Sequence, residues 1–266
     1  MHLRPVTQAD LWHFGETVGR AMFKDEVMDY VAPYKDKYPD SFFRHCLYRT
    51  MVRYYRGEFM FLCVSDENDA DWTGDEVVMG YCAYSTTIKS VKKPVRGGWL
   101  GSWFEQQAIA WRLRYTGLFK LNQSADEAAE AHFRNLVTPE VYEPYLDSLP
   151  EEHKAAHGRD HWELELLGTH PDHRRKGVGK HMLKWGMNKA REYSVPLVLT
   201  ATITGEKLYL NVGFREVNRV NMLPEGEAGD RLRELDLGLG KGKGLAWACM
   251  IWEPESLRNT AKDMNA

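Results

Sequence analysis

The chain has 266 residues, of which 43% are apolar and 27% charged, a composition that fits a globular protein long enough to bury one good-sized core. A net charge of −3 gives no general attraction to nucleic acid or to anionic lipid, so any basic site must be local. Met1-His2-Leu3-Arg4-Pro5 lacks the apolar stretch of a signal peptide, no run reaches membrane-spanning length, and Cys46, Cys63, Cys82 and Cys249 form neither a Cys-x-x-Cys pair nor a disulfide framework, which together predict a reducing, cytoplasmic setting.

The chain opens with a short extended segment, Leu3 to Val6. Thr7 is placed to cap a helix running to about Phe23, with Asp10 in its first turn, where the helix dipole favours an anion. A Pro-containing connection follows, and a second helix starts at Asp40 or Ser41 and continues through Tyr55, with Phe42, Phe43, Cys46, Leu47, Met51 and Tyr54 near the helical period and Gly57 as its stop. Phe59–Ser65 and Glu76–Thr87 read as strands joined by an Asp-, Asn- and Gly-rich turn, 66–74. Residues 101–156 change character, becoming rich in Ala, Gln, Glu and aromatics. Ser124-x-x-Glu127 reads there as a capping box and Thr138-Pro139-Glu140 as a helix start, so this is a helical insertion between strands. Beyond it Trp162–Thr169 alternates as a strand, Val178–Tyr193 is an amphipathic helix, Val195–Ala201 a β-branched strand, Glu206–Val212 a short helix and Phe214–Met222 a strand. Leu223–Gly244 is a Pro-, Gly- and charge-rich loop, Leu245–Glu253 a last strand, and 254–266 a polar, frayed tail. Strands alternating with helices argue for a mixed sheet with helices on both faces.

One segment concentrates chemistry. From Leu166 to Leu183 a strand ends, Arg174, Arg175 and Lys176 follow with Gly177 and Gly179, and an amphipathic helix begins that also carries Lys180. A helix N-terminus offers unpaired N–H groups and partial positive charge, and glycines let that backbone close on an anion, so the segment predicts a phosphate or pyrophosphate site. It is not a nucleotide-triphosphate loop, since His181 follows Gly179-Lys180 and position 174 is not Gly. Nor is it a dinucleotide fingerprint, since Met182 stands where a small residue is needed.

Arg174-Arg175-Lys176-Gly177-Val178-Gly179 resembles the Arg/Gln-x-x-Gly-x-Gly/Ala motif of the GCN5-related N-acetyltransferase (GNAT) superfamily, preceded by Leu167-x-x-x-Pro171, which is similar to the end of that family's fourth strand. Leu208-Tyr209-x-x-x-Gly213-Phe214 and the opening Leu3-Arg4-Pro5-x-Thr7-x-x-Asp10 are similar to two further family segments. The resemblance implies a single GNAT-like α/β domain over 1–266, with a mixed, mostly antiparallel central sheet flanked by helices and the 101–156 insertion before the fourth main strand. The motif-bearing core, 160–222, would bind acetyl-CoA. Backbone groups of Leu167, Gly168 and Thr169 would pair with the pantetheine arm, and Arg174, Arg175, Lys176, Gly177, Val178, Gly179 and Lys180 would hold the pyrophosphate. Tyr209 would protonate the departing thiolate. Many members carry Asn seven residues before that Tyr; here it is Thr202, a departure from the pattern.

The period of two puts Glu163 and Glu165 on one strand face and Trp162, Leu164 and Leu166 on the other. An ammonium substrate must lose a proton before attack, and Glu163, fourteen residues before Gly177, is similar in place to the base of histone-acetylating members; it ranks first and Glu165 second. A solvated strand face remains the alternative for both, as core packing does for Tyr209 between Leu208 and Leu210. Tyr30 and Tyr34, in the connection that commonly borders the acceptor site in the resembled family, are candidates for binding an amine with an apolar body, alongside Asp25, Glu26 and Asp29. His153, His157 and His161 recur every four residues, but Gly158 interrupts that helix and no partner ligand is fixed by spacing, so no metal is expected.

The reading is an acetyl-CoA-dependent N-acetyltransferase acting on a small-molecule primary amine by direct attack in a ternary complex, without nucleic-acid or membrane partners. A protein lysine or N-terminal amine as acceptor, and a non-catalytic acyl-CoA sensor, are the alternatives. Oligomeric state, a homodimer included, is left open by the sequence.

Overall fold

Arg4, in the first strand, organises the start of the chain in the computed structural model, which describes residues 1–258 apart from 70, 71, 73, 97–102, 106, 110, 112–122, 128, 132–138 and 222–245. Strand β1 (His2–Pro5) pairs antiparallel with β2 (Phe59–Val64), His2 opposite Val64 and Pro5 opposite Phe61. Helix α1 (Leu11–Met22) is not capped by Thr7 as expected. Asp10 is its N-cap residue, and Thr7 donates its N–H (2.8 Å) and hydroxyl (2.6 Å) to the Asp10 carboxylate. Arg4 closes on the same carboxylate with two N–H groups, at 2.8 and 3.0 Å. A carboxylate is the stronger acceptor, so the Thr7 hydroxyl serves it as a donor and does not turn to the helix amides. Burial alone would raise the Asp10 pKa, but Arg4 and Thr7 outweigh it and hold the carboxyl at about 2.

In chain order there follow α2 (Glu26–Val31), a short helix inside the connection expected to be irregular, α3 (Pro39–Tyr55), β2 and β3 (Val78–Thr86). A 3-10 turn (Pro139–Tyr142), α4 (Glu143–Asp147) and α5 (Glu151–His157) lead into β4 (Trp162–Thr169). After another 3-10 turn (Pro171–His173) come α6 (Val178–Tyr193), β5 (Leu197–Ala201), α7 (Ile203–Val212), β6 (Arg215–Asn221) and β7 (Ala246–Trp252). The strands form one mixed, mostly antiparallel sheet in the order β1-β2-β3-β4-β5-β7-β6, flanked by helices, with β4 and β5 as its parallel pair. The expected loop 223–244 and much of the 101–138 segment lie outside the described residues. No helix among the described residues is long and apolar enough to cross a membrane.

The chain forms two compact units, whose boundaries fall inside β3, β4 and α6. The first comprises Met1–Ala83, Lys92–Ala131 and Leu166–Met182. Its core sets Phe14, Val18, Phe42 and Tyr54 from α1 and α3 against Met60, Leu62 and Val64 of β2 and Tyr81 of β3. Ser124, expected to open a capping box with Glu127, is buried there, and Asp126 accepts the Ala129 N–H at 3.0 Å. The carbonyl of Ser124 accepts from Tyr34 N–H and that of Val31 from Asp126 N–H, so the α2 region and the 124–126 turn are tied by backbone.

The second unit comprises Tyr84–Val91, His132–Glu165 and Leu183–Ala266. Strand β7 lies between β5 and β6, Val198 opposite Ile251 and Arg219 opposite Ala248. Tyr142, Tyr145, Leu146 and Leu149 cover Val198, Cys249 and Ile251 on one sheet face. Leu257, 4% exposed, joins this core, so the first residues after Pro254 form a docked helical turn and not the frayed tail expected. The apolar Leu257 side chain contributes to the difference, since its burial among apolar side chains offsets part of the chain entropy lost on ordering the turn.

Because the Asp10 pKa is depressed in the folded protein, its stabilising effect is present above the unfolded value of 3.8 and is lost as pH falls toward 2. Asp10→Asn should therefore lower the urea midpoint at pH 7, and the gap between variant and parent should close as titrations are repeated toward pH 2.

Candidate active site

The turn between β4 and α6 shows why glycine and basic residues stand where they do. His170 leaves the strand with its N–H on the Met79 carbonyl (2.8 Å) and its Nδ1 accepting the Asp172 N–H (3.4 Å), which starts the 3-10 turn. Arg174 is extended, and then Arg175 and Gly177 both adopt positive φ, 65° and 82°. A Cβ at Gly177 would meet nothing within 4 Å, so the backbone conformation demands glycine while the space above it stays open. Val178 and Gly179 are buried and seat the helix; Arg174, Arg175, Lys176 and Lys180 are exposed. No acidic residue occurs between Asp172 and Lys180, so the first amides of a 16-residue helix follow a run of basic residues.

The helix start sits against glycines. A Cβ on Gly80 would come within 2.8 Å of the Gly168 carbonyl and 2.9 Å of Val178, and one on Gly168 within 2.3 Å of the Tyr81 hydroxyl. Tyr81 is 1% exposed and cannot yield, so Gly168 must offer bare backbone. Leu167, Gly168 and Thr169 are each half-buried. The parallel pairing of β4 with β5 runs from Trp162 opposite Leu197 to Leu164 opposite Leu199, and β4 continues beyond it to Thr169.

The tyrosines expected to share the acceptor site differ. Tyr34 is 45% exposed, whereas Tyr30 is fully buried and its hydroxyl makes no hydrogen bond among the described residues. Burial, helped by Asp126, pushes the Tyr30 phenol up to about 12. This corrects the expectation for Tyr30: it is a core residue, and only Tyr34 presents its ring to solvent.

The second unit holds the other candidates. Glu163 and Glu165 are half-buried on one face of β4, with Trp162 and Leu164 buried on the other, as the alternation predicts. Ser85 of β3 donates its hydroxyl to Glu165 Oε1 at 2.9 Å. This partner, 80 residues away, has no signal in the sequence. Thr202 is the N-cap of α7, its Oγ1 accepting the Gly205 N–H at 3.3 Å. Capping uses one lone pair and leaves the O–H to donate elsewhere.

Tyr209, on α7, is 7% exposed, and burial holds its phenol well above the ordinary range. Gly213 ends the helix at φ 98°, and Phe214 turns back so that its N–H donates to the Tyr209 carbonyl (3.0 Å) and its ring packs on Tyr209 (centroids 5.7 Å apart). The Leu-Tyr-x-x-x-Gly-Phe signature is thus one device, in which a left-handed cap lets the second aromatic clamp the first. Arg219 of β6 ties α7 down through Glu206 at 2.8 Å. The three histidines do not converge: His153 and His157 stack at 4.8 Å, while His161 engages the Arg159 carbonyl through Nδ1. Among the described residues no three His, Cys, Asp or Glu side chains group as metal ligands would.

Residues 148–216 match the family model described as "Acetyltransferase (GNAT) domain", the superfamily that the motifs resemble. The fold agrees with solved structures at low identity. Arylalkylamine N-acetyltransferase 2 from Aedes aegypti is 14% identical and superposes with a TM-score of 0.52 over 95% of this chain and 98% of that one. A mutant apo form of agmatine N-acetyltransferase is 10% identical, also with a TM-score of 0.52, over 95% of this chain and 99% of that one. No curated protein sequence matches the chain.

At Gly213 the nearest atoms to an added Cβ lie 3.8 Å away, so the cost of a side chain there is set by φ and not by space. Gly213→Ala should lower stability by about 1 kcal/mol and Gly213→Asn by less, read from denaturant midpoints.

Proposed function

We propose that the protein transfers the acetyl group of acetyl-CoA to the primary amine of a small molecule, by direct attack in a ternary complex. The observation that carries this reading is the turn at 174–180, where a positive-φ glycine whose Cβ would meet nothing, the first amides of α6 and four exposed cations follow one another along the chain. A pyrophosphate fits that cradle by charge and by shape. Two proteins that share the fold are named for small amines, arylalkylamine and agmatine, which supports a small acceptor. Four buried, unpaired cysteines, whose thiols burial keeps protonated, support direct attack over an acyl-enzyme and a reducing, cytoplasmic setting.

In this reading the amides and side chains of 174–180 hold the pyrophosphate, and the backbone of Leu167, Gly168 and Thr169 pairs with the pantetheine arm. Glu163 takes a proton from the acceptor amine. Glu165, whose carboxylate accepts the Ser85 hydroxyl, is the second candidate. The neutral nitrogen attacks the thioester carbonyl, the C–S bond breaks, and Tyr209 gives its proton to the leaving thiolate. A phenol buried enough to stay protonated at neutral pH suits that role. Thr202 contributes its remaining O–H as a donor. Tyr34, exposed beside the α2 region, contributes an aromatic surface to acceptor binding.

The first test is a screen of amines by thiol release from acetyl-CoA. Gly177→Asp meets no steric clash, although the positive φ strains it, and places a like charge over the cradle; in the folded variant acetyl-CoA affinity should fall by about 100-fold or more in calorimetry. Unchanged affinity in the folded variant would sink the site. Tyr209→Phe should leave acetyl-CoA affinity nearly unchanged while turnover of any accepted amine drops about 100-fold. Normal turnover in that variant would make Tyr209 a packing residue.

A further inference from the structure

The 3-10 turn Pro139–Tyr142 belongs to the segment that the family resemblance leaves unexplained, and it delivers Tyr142 to the sheet face that carries the two glutamates. Cα partners set Glu163 beside Val198 and Val198 beside Ile251, so these three side chains share one face; Thr200 and Cys249 pair one step along and share it too. Tyr142 packs in the cluster that contains Val198, Cys249 and Ile251. Asn218 of β6 pins the turn by donating to the Val141 carbonyl at 3.3 Å.

Tyr142 is 1% exposed, yet its hydroxyl makes no hydrogen bond among the described residues. Thr200 of β5 approaches it without closing to hydrogen-bond geometry. The titratable groups acting on it are Glu163 and Glu165 of β4 and Cys249 of β7, and after burial the largest influence holding its phenol protonated is Glu163. Glu165 already receives the Ser85 hydroxyl from β3. Phenylalanine would fill the same volume without burying an unpaired donor, so the hydroxyl is retained against a stability cost. Tyr145, one helical turn on, shows the contrast, because its hydroxyl donates to Glu253 at 3.0 Å.

We propose that Tyr142 is a positioning residue for the base of the acetyl-transfer reaction: its O–H turns toward the ionised Glu163 carboxylate, stabilises that form, and so selects Glu163 over Glu165 as the acceptor of the amine's proton. One proton passes from the amine nitrogen to Glu163, and Tyr142 keeps its own. This rests on the acetyltransferase reading above.

Carboxyl-carbon NMR of the full chain, with Glu163→Gln to identify the signal, reads the Glu163 titration without any substrate. Tyr142→Phe should denature at an unchanged or higher midpoint, because a costly buried group is gone. The Glu163 titration should nonetheless rise by about half a pH unit or more, since a donor to the charged form is lost. With an accepted amine, the pH–rate profile should shift to higher pH at unchanged acetyl-CoA affinity. Tyr145→Phe, which breaks a satisfied hydrogen bond, should lower stability and leave the Glu163 titration where it is. A Glu163 titration that stays in place in Tyr142→Phe, or a Tyr142→Phe protein less stable than the parent, overturns the positioning role while leaving the acetyltransferase reading intact. A pH–rate profile that Glu163→Gln leaves untouched removes the base, and the role of Tyr142 with it.

Discussion

A helix that begins directly after a buried strand leaves its first amide N–H groups without intrahelical acceptors, and those groups must meet either water or an anion. Everything around the start of α6 follows from keeping that end open. Arg175 and Gly177 take positive φ so that the turn leaves the strand without covering the amides, and Gly177 adds no side chain above them. Below them the packing is tight: bare backbone at Gly168 meets the immovable Tyr81 ring, and Gly80 lies under Val178. The helix end is thus packed from beneath, while a Cβ at Gly177 would meet nothing within 4 Å.

A second constraint shapes the other unit. Strand β4 buries Trp162 and Leu164 on one face and keeps two carboxylates half-buried on the other, and the chain must cover that second face without stranding their charge. It does so with hydroxyl-bearing side chains set among apolar ones. Ser85 donates to Glu165, Tyr145 to Glu253, and Tyr142 stands near Glu163 and Thr200. The segment before β4 is thus a hydrophobic cover for Val198, Cys249 and Ile251 that also carries the Tyr142 and Tyr145 hydroxyls. On α7 the same economy recurs, since Gly213 ends the helix and in doing so lets Phe214 hold the Tyr209 ring.

Local chemistry was legible from the residues alone. The bounds of β4 and α6, the helix stops at Gly57 and Gly158, the strand-face alternation of Glu163 and Glu165, and the glycine turn itself depend on φ preferences and side-chain periods that act within a few residues. The GNAT resemblance rested on those same short spacings, and they supplied the sheet's mixed character as well.

Choices between equivalent local partners were made elsewhere in the fold. Thr7 looked like a cap, but Arg4 of the first strand holds Asp10, and Asp10 takes the N-cap position. Tyr30 and Tyr34 are alike in sequence, yet only the packing of α2 decides that one is core and the other exposed. Leu257 reads as part of a polar tail until the face formed by β5 and β7 gives it somewhere to go. Ser85 reaches Glu165 from 80 residues away in the chain, and no local rule encodes such a meeting. A sequence determines the conformations that each short stretch prefers; which buried donor meets which buried acceptor is settled only when desolvation makes unpaired polar groups costly, and that happens on packing.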